Sequence, residues 1–425
     1  MALALTDLAP LFRAGTPRGI TSVCSAHPVV LRAALRHGRE TGATVLIEAT
    51  CNQVNHQGGY TGMTPTDFVA LVRDLARQEG CPEGQIVLGG DHLGPNPWRH
   101  LPAETAMAEA ERMVAAYAGA GFLKLHLDAS MACADDTAPP DDMTVAARAA
   151  RLAAVAEDTA RKAGGPMPVY IIGTEVPPPG GADHALDAIT PTAPANADRT
   201  FAVHARVFAE RGLADALARV VGIVVQPGVE FGNQNVVFYD PAKARALTGV
   251  LAHHPALVFE AHSTDYQGAA PLSALVTDGF AVLKVGPELT FVLREALYAL
   301  DLIASDLLPD YGDRPLYRAM EGLMCAAPDH WQGHYRTGPA RLLRHYSLSD
   351  RIRYYWTAPA AEAAVARLTE ALAGQSVPRP LFWQHMPAAA RFADAPLDPD
   401  EVLIWRVTES LKTYHAACQP GGAAA

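Results

Sequence analysis

The sequence predicts an α/β fold: a closed parallel (β/α)8 TIM barrel over residues 1–304, with a mostly helical C-terminal extension over 305–425 packed on it. Three observations carry that expectation. Eight short apolar runs recur between Ile20 and Pro287, helical stretches alternate with them, and the runs close on polar or ionisable residues at their C-terminal ends. An open doubly wound sheet is the rival, but no Gly-x-Gly-x-x-Gly follows the first run.

Ile20–Cys24 reads as the first strand, ending in Ser25, His27 and Pro28, and a helical run through Leu31 and Leu35 stops at Gly38. Thr44–Ile47 reads as the second, ending in Glu48, Ala49, Thr50, Cys51 and Asn52. The loop with Gly58, Gly59, Tyr60 and Gly62 lacks the Gly-Lys-Ser/Thr ending of a phosphate-cradling loop, so a lid or a close-contact turn is expected. Thr64-Pro65-Thr66-Asp67 then opens a helix. Thr64 caps it, Pro65 sits where a missing N–H costs nothing, and Asp67 meets the positive end of the dipole.

The third strand, from Ile86, runs into Gly89 and Gly90, which allow close approach, and then into Asp91-His92 before Gly94 and Pro95 end it. A carboxylate beside an imidazole can accept a proton next to a metal ligand; a helix cap and an ordinary loop histidine are the plain alternative. After a helix over Ala103–Ala118, the fourth strand, Phe122–Leu127, alternates. Leu123, Leu125 and Leu127 face one way, and Lys124, His126 and Asp128 the other. Buried without partners, such groups would cost roughly several kcal/mol each, so they must face a polar cavity or one another; a salt-bridged layer without chemistry is the alternative.

A helix over Thr144–Ala163 leads to the fifth strand, Val169–Ile172, which closes on Gly173, Thr174 and Glu175 ahead of the Pro177–Gly181 loop. Val220–Val225 is the sixth, ending near Glu230, and Leu257–Phe259 the seventh, ending in Glu260, His262, Ser263 and Asp265. Ala281–Pro287 is the eighth, with Lys284 and Gly286, and Glu288–Ala304 is its helix. In a closed barrel Glu48, Asp91, His92, Asp128, Glu175, Glu230, Glu260, His262 and Lys284 would converge on one rim.

Composition narrows the function. A net charge of -11 argues against a nucleic-acid binder, so a small molecule is the expected ligand. The six scattered cysteines read as reduced thiols, and neither an export signal nor an uninterrupted run of about 18 apolar residues is evident, so a cytoplasmic protein without membrane association is expected. In the extension, Arg351 and Arg353 can reach a phosphate or belong to a packed, ion-paired helix. Gln419–Ala425 should be frayed.

Several dense motifs, among them Leu46-Ile47-Glu48-Ala49-Thr50, Gly58-Gly59-Tyr60-Thr61-Gly62-Met63, Gly89-Gly90-Asp91-His92-Leu93-Gly94-Pro95, Gln226-Pro227-Gly228-Val229-Glu230-Phe231, Glu260-Ala261-His262-Ser263-Thr264-Asp265 and Lys284-Val285-Gly286-Pro287, resemble the GatZ/KbaZ family. The resemblance runs from about Gly19 to beyond Trp356. It implies one of two roles: a D-tagatose 6-phosphate 4-epimerase, or a non-catalytic stabilising subunit of class II tagatose-bisphosphate aldolase working with a smaller catalytic subunit. Self-association is a further expectation. A kinase label also circulates for the family, but the sequence holds no nucleotide-binding loop.

By likeness to the related class II aldolases, a divalent ion (Zn, Mn or Mg) would be held by His92 with Glu230, Glu260 and His262, in place of the three histidines of those enzymes. Asp91 would carry the proton, with Glu175 or Asp128 as the second acid or base. Glu48, Asn52, Lys124, His126, Ser263, Lys284 and Gly286 would bind the phosphorylated ketose, with Lys284 and Ser263 at its phosphate; a Schiff base on Lys284 is the alternative.

Overall fold

Strand patterning of this kind buries one face against helices and turns the other inward, and the computed structural model of the protein does so. It describes residues 3–137, 139–173, 189–335 and 338–421. The strands are β1 (Ile20–Cys24), β2 (Val45–Thr50), β3 (Ile86–Leu93), β4 (Lys124–Leu127), β5 (Val169–Ile172), β6 (Val220–Val225), β7 (Glu230–Phe231), β8 (Val236–Val237), β9 (Val258–Ala261) and β10 (Phe280–Val285). All except β7 and β8 form a closed parallel barrel in which β10 returns to pair with β1. Between β6 and β9 the chain makes the antiparallel β7–β8 hairpin, which the sequence did not announce.

Alternation along the barrel strands sorts the interior. Val23, Ile47, Leu125, Tyr170, Ile223 and Phe259 join the large core shared with the surrounding helices. Ile20, Leu46, Ile171, Val258 and Val282 form a second apolar cluster inside the N-terminal end of the barrel. Leu5, Leu8 and Ala9, from the segment preceding β1, belong to that cluster and close this end from below. Farther along the same inward faces come Glu48, Asp91, Lys124, His126, Glu260 and Lys284, all buried.

Local signals place the helices. The Thr64 cap holds as a reciprocal box: Thr64 accepts from the Asp67 N–H while Asp67 accepts from the Thr64 N–H at 2.9 Å. His27 caps the Pro28–Thr41 helix, its Nδ1 accepting from the Val29 N–H.

The eighth barrel helix, Pro287–Leu307, continues into the extension, whose Leu316, Leu368 and Val402 share the large core. Buried Asp350 pins the extension to that helix, pairing with Arg294 at 2.8 Å and accepting from Thr290 Oγ1 at 2.7 Å. The last helix, Pro399–Ala417, is tied down where the Tyr414 hydroxyl donates to the Thr264 carbonyl at 2.7 Å. All six cysteines are free, and among the described residues no helix is long and apolar enough to cross a membrane.

Candidate active site

Three imidazoles carried at the C-terminal ends of β3, β4 and β9 meet above the barrel axis. The rings of His92, His126 and His262 lie 5.0 to 5.3 Å apart, centroid to centroid. Asp91 sits among them: its Oδ1 is 2.9 Å from His126 Nδ1 and its Oδ2 3.7 Å from His92 Nε2. Asp128 takes His92 Nδ1 at 2.8 Å, and Glu260 takes His262 Nε2 at 2.8 Å.

Two ammonium groups lie among these acids. Lys284 Nζ is 2.6 Å from Asp91 and 2.8 Å from Glu48. One layer deeper, fully buried Lys124 sits 2.5 Å from Glu48 and 2.6 Å from Glu260. Gly89 makes room for this layer, because a Cβ there would fall 2.7 Å from Glu48 Cγ. Gly94 does the same beside Asp128, whose carbonyl oxygen would lie 1.6 Å from an added Cβ.

Backbone strain accumulates at this rim. His92 and Ser263, which close β3 and follow β9, adopt φ of 48° and 52°. Left-handed non-glycine residues cost on the order of 1–3 kcal/mol each and persist where the surroundings over-determine them.

The charges set one another's ionisation. Burial works against the Asp91 anion, yet His92 and Lys284 outweigh it and hold the carboxyl well below its ordinary value. Glu260 is held down in the same way, by Lys124 and Lys284 against its burial. Burial also opposes the Lys284 cation, but Asp91 and Glu48 keep it charged, with its pKa well above the ordinary lysine value. His262 is pushed down to about 3 by burial and by Lys284, so its imidazole is neutral. Burial disfavours the His92 cation, but Asp91 and Asp128 outweigh that and raise it.

This donor set fits a divalent cation. Ligand atoms of Asp91, His126, Glu260 and His262 lie within 4.8 Å of one another, and Cys24, Glu48 and Asp91 form an adjoining group. The four buried carboxylates of Glu48, Asp91, Asp128 and Glu260 outnumber the two buried ammonium groups of Lys124 and Lys284, an excess of negative charge that a cation would offset.

Residues 5–419 match the family described as D-tagatose-1,6-bisphosphate aldolase subunit GatZ/KbaZ-like. The chain belongs to this family. It is 58% identical over 423 residues to the D-tagatose 6-phosphate 4-epimerase of Agrobacterium fabrum, a match spanning 99% of this chain and 100% of the relative. A crystal structure of a probable tagatose 6 phosphate kinase from Sinorhizobium meliloti 1021 superposes with a TM-score of 0.86 at 51% identity, over 94% of this chain and 100% of that one.

Against the expectations drawn from the sequence, this GatZ/KbaZ-like barrel brings most of the rim residues together and redistributes them. Glu230 is not in the group of candidate ligands. It begins the β7–β8 hairpin, and its carboxylate accepts from the neighbouring Phe231 N–H at 2.9 Å. His126, expected to bind substrate, stands among the ligands, and His92, expected as a ligand, is drawn toward Asp128. Glu48 and Lys124, also expected to bind substrate, lie beneath the cavity rather than on its wall. Glu175 falls outside the described residues, as does the Pro177–Gly181 loop.

The cavity above the imidazoles measures about 630 Å³ and is walled by Asn52, Asp91, His92, His262, Ser263 and Lys284, with Gly286 at its edge. Tyr60, from the glycine-rich loop, and Arg353, Tyr354 and Trp356, from the extension, line its outer part. The loop is a close-contact turn, since a Cβ on Gly59 would lie 2.4 Å from the Gln53 carbonyl oxygen. Sequence reasoning had no signal for Cys24 or Gln53 as wall residues; both owe their place to where β1 and β2 stop.

Asp265 was visible only as one more polar residue at a strand end. Its Oδ1 accepts from the N–H groups of Gly286 and Glu288 at 3.0 and 2.8 Å, so it occupies the N-terminus of the Pro287–Leu307 helix. Burial, reinforced by Glu288, raises its pKa to about 7.

Proposed function

We propose that the protein is a D-tagatose 6-phosphate 4-epimerase that inverts C4 by breaking and remaking the C3–C4 bond. The observation that carries this is the buried Asp91 carboxylate among three imidazoles and a lysine, at the floor of a sugar-sized cavity. The name of the 58% identical relative supports the same reaction. A kinase lacks support, because the Gly58–Gly62 loop has no Gly-Lys-Ser/Thr ending.

Asp91 is ionised and can accept the proton of the C4 hydroxyl as the C3–C4 bond breaks to an aldehyde and a three-carbon enediolate. The aldehyde then presents its other face, the bond reforms, and the new C4 oxygen takes the proton back. A divalent cation held by His126, His262 and Glu260, beside Asp91, would supply Lewis acidity at the ketose oxygens. Lys284 lies close enough to Asp91 to tune its charge and orient its oxygens. Asp128 fixes the ring of His92 through Nδ1. A Schiff base on Lys284 is disfavoured, since the ion pairs keep the nitrogen protonated and an imine needs it free.

The test is incubation of the chain alone with tagatose 6-phosphate, followed by carbon NMR for fructose 6-phosphate. Conversion that is lost on chelation and restored by one of Zn, Mn or Mg is the expected result. No conversion with any of these ions, together with stimulation of a separate aldolase subunit acting on the bisphosphate, would favour a stabilising role within the aldolase that the family description names.

A further inference from the structure

A phosphate on the substrate needs a cationic or N–H-rich pocket, and in (β/α)8 barrels the loops after the seventh and eighth strands commonly supply one with a helix N-terminus. Here that place is taken. The Gly286 and Glu288 N–H groups already donate to Asp265, and Lys284 is engaged by Asp91 and Glu48.

Among the described residues, Arg353 is the one other lysine or arginine on the cavity wall, and it forms no ion pair with a carboxylate. Its Nη1 donates to the Ser349 and Asp350 carbonyls and its Nη2 to the Tyr354 hydroxyl at 3.0 Å, and the guanidinium lies 4.5 Å from the Tyr354 ring centroid. Those bonds fix the group while Nε–H and a second Nη2–H stay available, which suits two oxygens of one phosphate. Tyr354 in turn meets Tyr60 edge-on at 4.8 Å, which links the extension to the loop after β2. Neighbouring Arg351 is turned elsewhere, with Nη1 on the His330 carbonyl at 3.1 Å.

We propose that the extension completes the substrate site: Arg353, braced by Tyr354 and Tyr60, binds the phosphate of the sugar phosphate, in place of the blocked N-terminus of the eighth barrel helix. This rests on the reading of the cavity as a sugar-phosphate site. It assigns the Arg–aromatic run of the extension to recognition, and it leaves the carbonyl end of the ketose over the imidazoles.

The test compares Arg353→Ala and Arg353→Lys with the wild type, by calorimetric titration with tagatose 6-phosphate and with free tagatose, and by KM against kcat. Arg353→Ala should weaken tagatose 6-phosphate binding about 10–100-fold, the worth of a charged hydrogen-bonded pair, with a much smaller change for free tagatose. Arg353→Lys should recover part of the loss, and the kinetic effect should fall mainly on KM. Equal loss for both sugars, or tagatose 6-phosphate affinity in folded Arg353→Ala equal to wild type, would overturn the assignment. Should the wild type bind tagatose 6-phosphate through Arg353 yet never epimerise it, the phosphate site stands and the epimerase reading fails. Epimerisation with an unaltered KM in Arg353→Ala would do the reverse, keeping the epimerase and removing Arg353 from its phosphate.

Discussion

The two ends of the barrel interior are built from the same inward-facing positions of the same strands, yet they hold opposite chemistry. At the N-terminal end, Ile20, Leu46, Ile171, Val258 and Val282 pack against Leu5 and Leu8. Two residues farther along β2, β9 and β10, the chain places Glu48, Glu260 and Lys284. The first end gains stability from apolar burial. The second carries Glu48, Asp91, Asp128, Glu260, Lys124 and Lys284 out of water, a state that holds only while each charge finds its partner. The contrast teaches that burial alone does not tell core from site; the chemistry of what is buried does.

Removing a partner at the charged end should break this contrast most forcefully. Lys124→Met removes the closest cation from both Glu48 and Glu260 and leaves Lys284 to serve the two, at 2.8 and 3.8 Å, so it should cost about 3–5 kcal/mol in chemical denaturation as well as most of the activity. Leu46→Ala, at the apolar end of β2, should cost about 2–5 kcal/mol while leaving turnover per folded molecule near wild type. If both variants lost activity in proportion to stability alone, the division between the two ends would be wrong.

Gly89→Ala probes the seam between them. The added methyl group meets Glu48 and should destabilise by about 1–3 kcal/mol, with a larger fractional loss of activity than Leu46→Ala causes at matched stability.

The smallest effect concerns Asp265. Its pKa is raised by burial and then by Glu288 to about 7, so the folded chain holds that proton more tightly than the unfolded one. Stability from this group is therefore present at low pH and falls as pH rises from near 4 to near 7. Asp265→Asn keeps an acceptor for the Gly286 and Glu288 N–H groups without the charge. It should come closest to the wild type below about pH 4 and gain on it as pH rises from there to about 7, with the difference level above that, in melts followed by circular dichroism.

What the sequence disclosed follows the same division. Period-two patterning in β4 separated Leu125 and Leu127 from Lys124 and His126, because alternation is local and survives without tertiary information. The closed barrel followed from eight such units. The β7–β8 hairpin was illegible, since two-residue strands carry no period, and Glu230 was drawn into the ligand set by its place after β6. The closure of the barrel floor by Leu5 and Leu8 was missed because that helical segment is too short to show a clear stripe. His126 among the ligands, Asp265 over the helix N-terminus and Arg353 on the cavity wall all depend on how separate elements dock, which no window along the chain contains.

The most direct measurement of the central claim is the single-turnover rate of C4 inversion in Asp91→Asn, with its metal content and melting temperature recorded alongside. Tagatose 6-phosphate should still bind and the chain should still fold, while inversion slows by at least about 100-fold, the usual worth of a positioned acid or base. Inversion at the wild-type rate in that variant would mean that the carboxylate ringed by His92, His126 and His262 is not where the reaction happens.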